Sequence, residues 1–93
     1  MKIYFSRRAQ ADIQSIHDYI AHDNIEMARR VVAEIEQSTL RLSDFPLSDR
    51  KGAVETTREL VIPRLPYIAV YCLVSDRIEI IAVFHAAQNF PRG

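Results

Sequence analysis

The sequence predicts an α+β fold: an N-terminal strand, an antiparallel helical hairpin, then a three-stranded antiparallel meander, with the helices packed on one face of the sheet. Three observations predict it. Apolar residues recur at helical steps through two consecutive stretches of the first half of the chain. Only His22-Asp23-Asn24 separates those stretches, so the two helices must fold back on each other. After Phe45-Pro46 the period changes to that of strands.

Each element has its own signal. Residues 1–5 are short and rich in β-formers, which predicts the first strand. Ser6 can cap the helix that comes next. Ala9, Ile13, Ile16 and Ile20 fall at steps of 4, 3 and 4, one stripe of a helix running from about 7 to about 21. Asp23 followed by Glu26 has capping-box spacing and predicts the start of a second helix, from about 25 to about 42. Its apolar stripe reads Ile25, Ala28, Val32, Ile35, Thr39, Leu42. Residues 47–52 read as a polar loop, and 56–62 as a strand. Pro63 and Pro66 bracket a bend. Residues 67–74 are apolar on both faces, as a central strand is. Ser75-Asp76-Arg77 predicts a tight turn, and 78–85 a final strand paired with the one before it.

The chain has 93 residues, which predicts one domain over 1–93 with 87–93 as a flexible tail. Apolar residues make up 48% and charged residues 26%, ordinary for a folded domain. Lys+Arg and Asp+Glu are 12 each, so the formal net charge is zero. That argues against holding nucleic acid through bulk charge, and no sequence-specific DNA binding by this chain alone is expected. Cys72 sits in an apolar run and reads as a buried structural thiol. No Cys/His cluster has zinc spacing, so neither a metal nor a cofactor is expected. No stretch approaches the ~20 apolar residues of a membrane span, and the N-terminus has no long apolar region of a signal peptide. A cytoplasmic protein is expected.

Taken in order, several pieces resemble the RelE/ParE superfamily. The first helix carries Ala9, Asp12, Ile13, Ile16 and Tyr19-Ile20-Ala21. Leu40 and Leu42 precede Phe45-Pro46. Then come Thr57-Arg58-Glu59-Leu60, Tyr67-Ile68-Ala69-Val70-Tyr71 and the closing strand with Phe84-His85. The resemblance covers nearly the whole chain. It implies a toxin of a type II toxin–antitoxin module, of the kind linked to growth inhibition and plasmid stabilisation. Such a toxin is neutralised by an extended or helical C-terminal segment of a cognate antitoxin. ParE-type members poison DNA gyrase, whereas RelE-type members cut messenger RNA on the ribosome. A degenerate member would keep antitoxin binding alone.

RNA cleavage needs a general base, a general acid and a cation for the phosphorane charge. The candidates are His85, Arg58 and Arg64, with Tyr71 behind them; His85 also reads simply as a residue that closes the last strand. Ribosome-dependent members of the family usually carry an arginine three residues before the tyrosine that Tyr71 matches; here that residue is Ile68. Lysines are only Lys2 and Lys51, against the lysine-rich surface of ribosome-dependent members. Both features favour the ParE-like reading, which demands no catalytic group. Antitoxin contacts are expected at Tyr19, Val31, Ile35, Arg58, Arg64 and Arg77; Ile16, Ile20 and Ile35 define the inward stripe and read first as core packing. The docking would use a helix groove or an open strand edge. Gln88, Asn89, Phe90 and Arg92 are the candidates for gripping a target. A different class, an α+β RNA-binding domain, would need solvent-facing aromatics on the sheet, for which Tyr67 and Tyr71 are the candidates.

Overall fold

The computed structural model describes residues 1–44, 50–51 and 56–87. The elements run β1 (Lys2–Phe5), α1 (Arg7–Ala21), α2 (Ile25–Leu40), a single 3-10 turn (Arg41–Ser43), β2 (Arg50–Lys51), β3 (Arg58–Val61), β4 (Tyr67–Val74) and β5 (Arg77–His85). The strands form one sheet in the order β1-β5-β4-β3-β2. β1 pairs parallel with β5, and every other pairing is antiparallel. The predicted strand, hairpin and meander are all present. The sheet differs from expectation by a fifth strand, β2, inside the stretch read as a polar loop.

Ser6 caps α1, accepting from the Ala9 N–H at 3.0 Å. The cap of α2 is Asn24 rather than Asp23: its side chain accepts from the Met27 N–H at 3.0 Å. Both residues have capping chemistry, and only the backbone decides between them. Asn24 is extended (φ −155°, ψ 100°), as a residue just outside a helix must be.

α1 lies over β5, and α2 lies over α1 and β4. The core between helices and sheet holds Ala9, Val31, Ile35 and Leu42 above Leu60, Ile62, Ala69, Tyr71, Ile78 and Ile80. Tyr67 and Tyr71 point into this core and are 8% and 0% exposed. The solvent-facing aromatic platform that an RNA-binding sheet needs is therefore not formed by this pair.

Among the described residues, two turns use positive φ outside glycine. Ser75 (φ 54°) opens the two-residue connection Ser75-Asp76 between β4 and β5. In the bend after β3, the Leu65 N–H donates to the Ile62 carbonyl at 3.2 Å, with Pro63 second and Arg64 third at φ 63°. That is the pattern of a type II turn, whose third position favours glycine. A left-handed residue other than glycine costs about 1–2 kcal/mol, and glycine's extra freedom in the unfolded chain returns about 0.5–1 kcal/mol of that. Arg64→Gly is therefore expected to raise stability by about 0.5–1 kcal/mol. A urea melt whose midpoint stays put or falls would mean the Arg64 side chain stabilises the turn.

Cys72 is half-buried rather than part of the core, opposite Glu79 across the β4–β5 pair. Burial first, and the Glu79 charge second, push its thiol above the ordinary value. A raised pKa lowers the thiolate fraction near neutral pH. Alkylation by iodoacetamide at pH 8 is expected to be several-fold slower than for a free cysteine peptide, with Glu79→Gln recovering part of the rate. Equal rates in all three would contradict this.

Candidate functional site

The site arises from a mismatch in strand length. β1 runs beside β5 only from Lys2↔Arg77 to Phe5↔Ile80. Among the described residues the remainder of β5 has no strand on that side, because the chain turns at Ser6 into α1. Ser6 organises the junction. Its N–H donates to the Ile80 carbonyl at 2.9 Å, and its hydroxyl donates to the Ile81 carbonyl at 2.7 Å. Ile81 is an extra residue in β5: Val70 pairs with Ala82 and Tyr71 with Ile80. Such a bulge bends the strand and re-aims the residues beyond it.

Asp12, nearly two turns further along the chain in α1, takes the next edge group. Its Oδ2 accepts from the Val83 N–H at 2.9 Å and lies 3.6 Å from Arg8 Nε. A buried N–H without a partner costs about 1–3 kcal/mol, so this carboxylate replaces the missing strand neighbour. The edge of β5 beyond β1 is thus occupied at Ile81 and Val83 by side chains of this chain itself.

Beyond Asp12 the helix and sheet diverge into an open groove of about 630 Å³. Asp12, Ser15, Ile16 and Tyr19 of α1 form one wall. Tyr67 from β4 and Val83, Phe84 and His85 from β5 form the other. It is larger than the grooves beside Ile3 and Glu36 (about 470 Å³) and beside Met1 and Arg77 (about 540 Å³). Tyr19 projects from the helix, 81% exposed. Tyr67 is nearly covered, and burial, with Tyr19 as a smaller cause, raises its phenol above the ordinary value. The His85 ring stands edge-on to Tyr67 with centroids 5.5 Å apart. His85 Nδ1 accepts from the Ala87 N–H at 3.0 Å, which places the ring proton of the neutral form on Nε2. The ring closes the last strand by this bond.

The groove gathers few of the residues expected from sequence. Of the predicted antitoxin contacts, Tyr19 lines it. Val31 and Ile35 are core residues, 5% and 0% exposed, and offer no surface to a partner. Arg77 sits at the opposite end of β5, bonded to Glu79 at 2.8 Å and stacked over Tyr4 at 5.2 Å. Arg58 is half-buried in β3, its Nε enclosed. Arg64 is exposed on its turn. The candidate target-gripping residues Gln88, Asn89, Phe90 and Arg92 lie outside the described residues. Sequence reasoning missed Asp12, Ser15, Val83 and Phe84 as groove residues. For Asp12 a signal existed: it falls at steps of 3 and 4 between Ala9 and Ile16, on the flank of the inward stripe.

A helical hairpin on a sheet of this order, with a groove along their seam, is the architecture to which the comparisons attach a family, that of the RelE/ParE superfamily toxins. The chain matches the family model for the ParE toxin of the type II toxin–antitoxin system, parDE, over residues 3–90, and it belongs to that family. It is 38% identical over 91 residues to a Sinorhizobium fredii protein named "Putative toxin Y4kP", covering 98% of this chain and 94% of that one. It is 30% identical over 87 residues to "Toxin RelE2" of Caulobacter vibrioides, covering 94% and 97%. A solved structure described as the chromosomal ParDE TA system from P. aeruginosa contains a chain that superposes with a TM-score of 0.82 at 25% identity. That match covers 91% of this chain and 95% of the other. The protein is a toxin of a ParDE-like type II system, and family membership implies a cognate antitoxin. Among the described residues no helix is long and apolar enough to cross a membrane.

Proposed function

We propose that this toxin acts as ParE-type members do, by inhibiting DNA gyrase, and that its antitoxin silences it by occupying the groove between α1 and β5. The observation that carries the first half is the dispersal of the groups an RNA-cutting site would need. Arg58 pairs with Tyr71 and His85 with Tyr67, four residues apart on β4. At ~3.3 Å per residue those rows are about 13 Å apart. The arginine typical of ribosome-dependent members is replaced by Ile68, which is 7% exposed and opposite Phe84. His85 is engaged with Ala87 and Tyr67. The second half is supported by the groove itself, an open concave seam with an exposed tyrosine on its rim, suited to an amphipathic helix.

The test is supercoiling by purified gyrase with the toxin added alone and then with its antitoxin. Inhibition that the antitoxin reverses is expected. No inhibition by folded toxin that arrests growth would instead favour ribosome-dependent mRNA cleavage. One observation supports that second reading: the Ala86 N–H donates to the Pro66 carbonyl at 2.7 Å, bringing the Arg64 turn to the same end of the sheet as His85. Absence of growth arrest would identify a member that retains only antitoxin binding.

A further inference from the structure

We propose that the groove is built to seat a cationic side chain, the guanidinium or ammonium of an arginine or lysine on the antitoxin segment. The inference rests on the groove being the antitoxin site and names the chemistry of its anchor. Asp12 is the carboxylate of the groove wall, with its side chain only 25% exposed. The Val83 N–H at 2.9 Å and Arg8 Nε at 3.6 Å both address Oδ2. Oδ1 has no partner among the described residues. A carboxylate offers about four lone-pair sites, so this oxygen can accept from a further donor without displacing Val83.

The opposite wall is aromatic. Tyr67 and His85 stand edge to face, and Tyr19 overhangs from the helix. Rings beside a carboxylate suit a flat or compact cation, which is drawn to the ring faces and bonded by the acid. The protein uses the same combination elsewhere: Arg77 lies 5.2 Å from the Tyr4 ring centroid while its Nη2 bonds Glu79 Oε1 at 2.8 Å. An acidic anchor would meet Asp12 with like charge. A purely apolar anchor would cover Oδ1 and leave it unsatisfied.

The experiment titrates the isotope-labelled full chain with n-butylguanidinium, the smaller neutral probe n-pentanol, and butyrate, followed by amide NMR shifts. Saturable shifts at Asp12, Tyr19, Val83 and His85 are expected for butylguanidinium, with pentanol and butyrate at least about tenfold weaker. Asp12→Asn keeps an oxygen for Val83, so its unchanged spectrum elsewhere certifies the fold. It is expected to weaken butylguanidinium about tenfold and leave pentanol unchanged. Pentanol binding as tightly as butylguanidinium, insensitivity to Asp12→Asn, or no saturable shift at the groove would each overturn the proposal. Antitoxin that protects the groove amides yet anchors there through a neutral residue would overturn it too, while leaving the groove standing as the antitoxin site.

Discussion

Ile35→Ala is expected to lower the stability of the isolated toxin by about 2–5 kcal/mol, the range for truncating a large aliphatic residue in a packed core. Ile35 is fully buried, in the cluster that joins α2 to the sheet through Val31, Leu42 and Tyr71. Removing its outer carbons leaves a cavity that helix and sheet close only in part. At ~0.05–0.15 kcal/mol per residue, a domain of this size is stable by roughly 5–14 kcal/mol, so the loss is a large share of the whole. Thermal denaturation should report it as a fall in Tm on the order of 10–25 °C. The folded fraction of the variant should still bind antitoxin normally, because Ile35 presents nothing to the surface. A variant as stable as the parent but deficient in antitoxin binding would return Ile35 to the interface and contradict its burial.

That Val31 reads as a surface contact in the sequence has a specific physical origin, whereas Ile35 lies on the inward stripe by either path. Val31 and Val32 are adjacent and equally apolar. The path Ala28–Val31–Ile35 takes steps of 3 and 4, and Ala28–Val32–Ile35 takes steps of 4 and 3; both satisfy helical periodicity. The structure chooses the first, burying Ala28, Val31, Ile35, Ser38 and Thr39, and leaves Ile25 59% exposed. Periodicity locates a face to within about one residue's rotation, and the sheet decides the remainder. Other elements are legible because their signals have one solution. Ser6 is the cap before the first helix, and Pro63 and Pro66 permit only a bend. β2 is not legible, because a strand of two residues, Arg50–Lys51, has no period to detect.

The groove is harder to read than the fold. It depends on β1 pairing with β5, elements more than seventy residues apart, and on β1 stopping short of β5's end. Neither is set by local pattern. Once the pairing is known, Asp12 gains a purpose, since an unpaired N–H on β5 needs an acceptor and α1 passes above it. The extra residue Ile81 likewise has no meaning in the sequence until β4 is laid beside it. Tyr19 is legible from the sequence as a residue off the inward stripe of its helix, and only the fold places it on the groove.

Tyr19→Ala is expected to separate binding from folding. At 81% exposed, Tyr19 contributes little to the toxin's own packing, so stability should stay within about 0.5 kcal/mol of the parent. If the antitoxin helix seats on the groove, this ring becomes buried at its rim. Truncating a buried interface tyrosine costs about 2 kcal/mol or more, roughly a 30-fold rise in Kd. Titration calorimetry with the antitoxin measures it, and Tyr4→Ala supplies the control: Tyr4 is also exposed, at 46%, but faces Arg77 away from the groove. Loss confined to Tyr19→Ala places the antitoxin on the α1–β5 seam. Loss confined to Tyr4→Ala would move it to the outer edge of β1, where Ile3, Phe5 and Ile13 line the smaller cleft. Equal affinity for both variants would remove the tyrosine rim from the interface and, with it, the reason for assigning this groove to the antitoxin. Tyr19→Phe refines the outcome, since a ring that acts through its face keeps affinity without its hydroxyl.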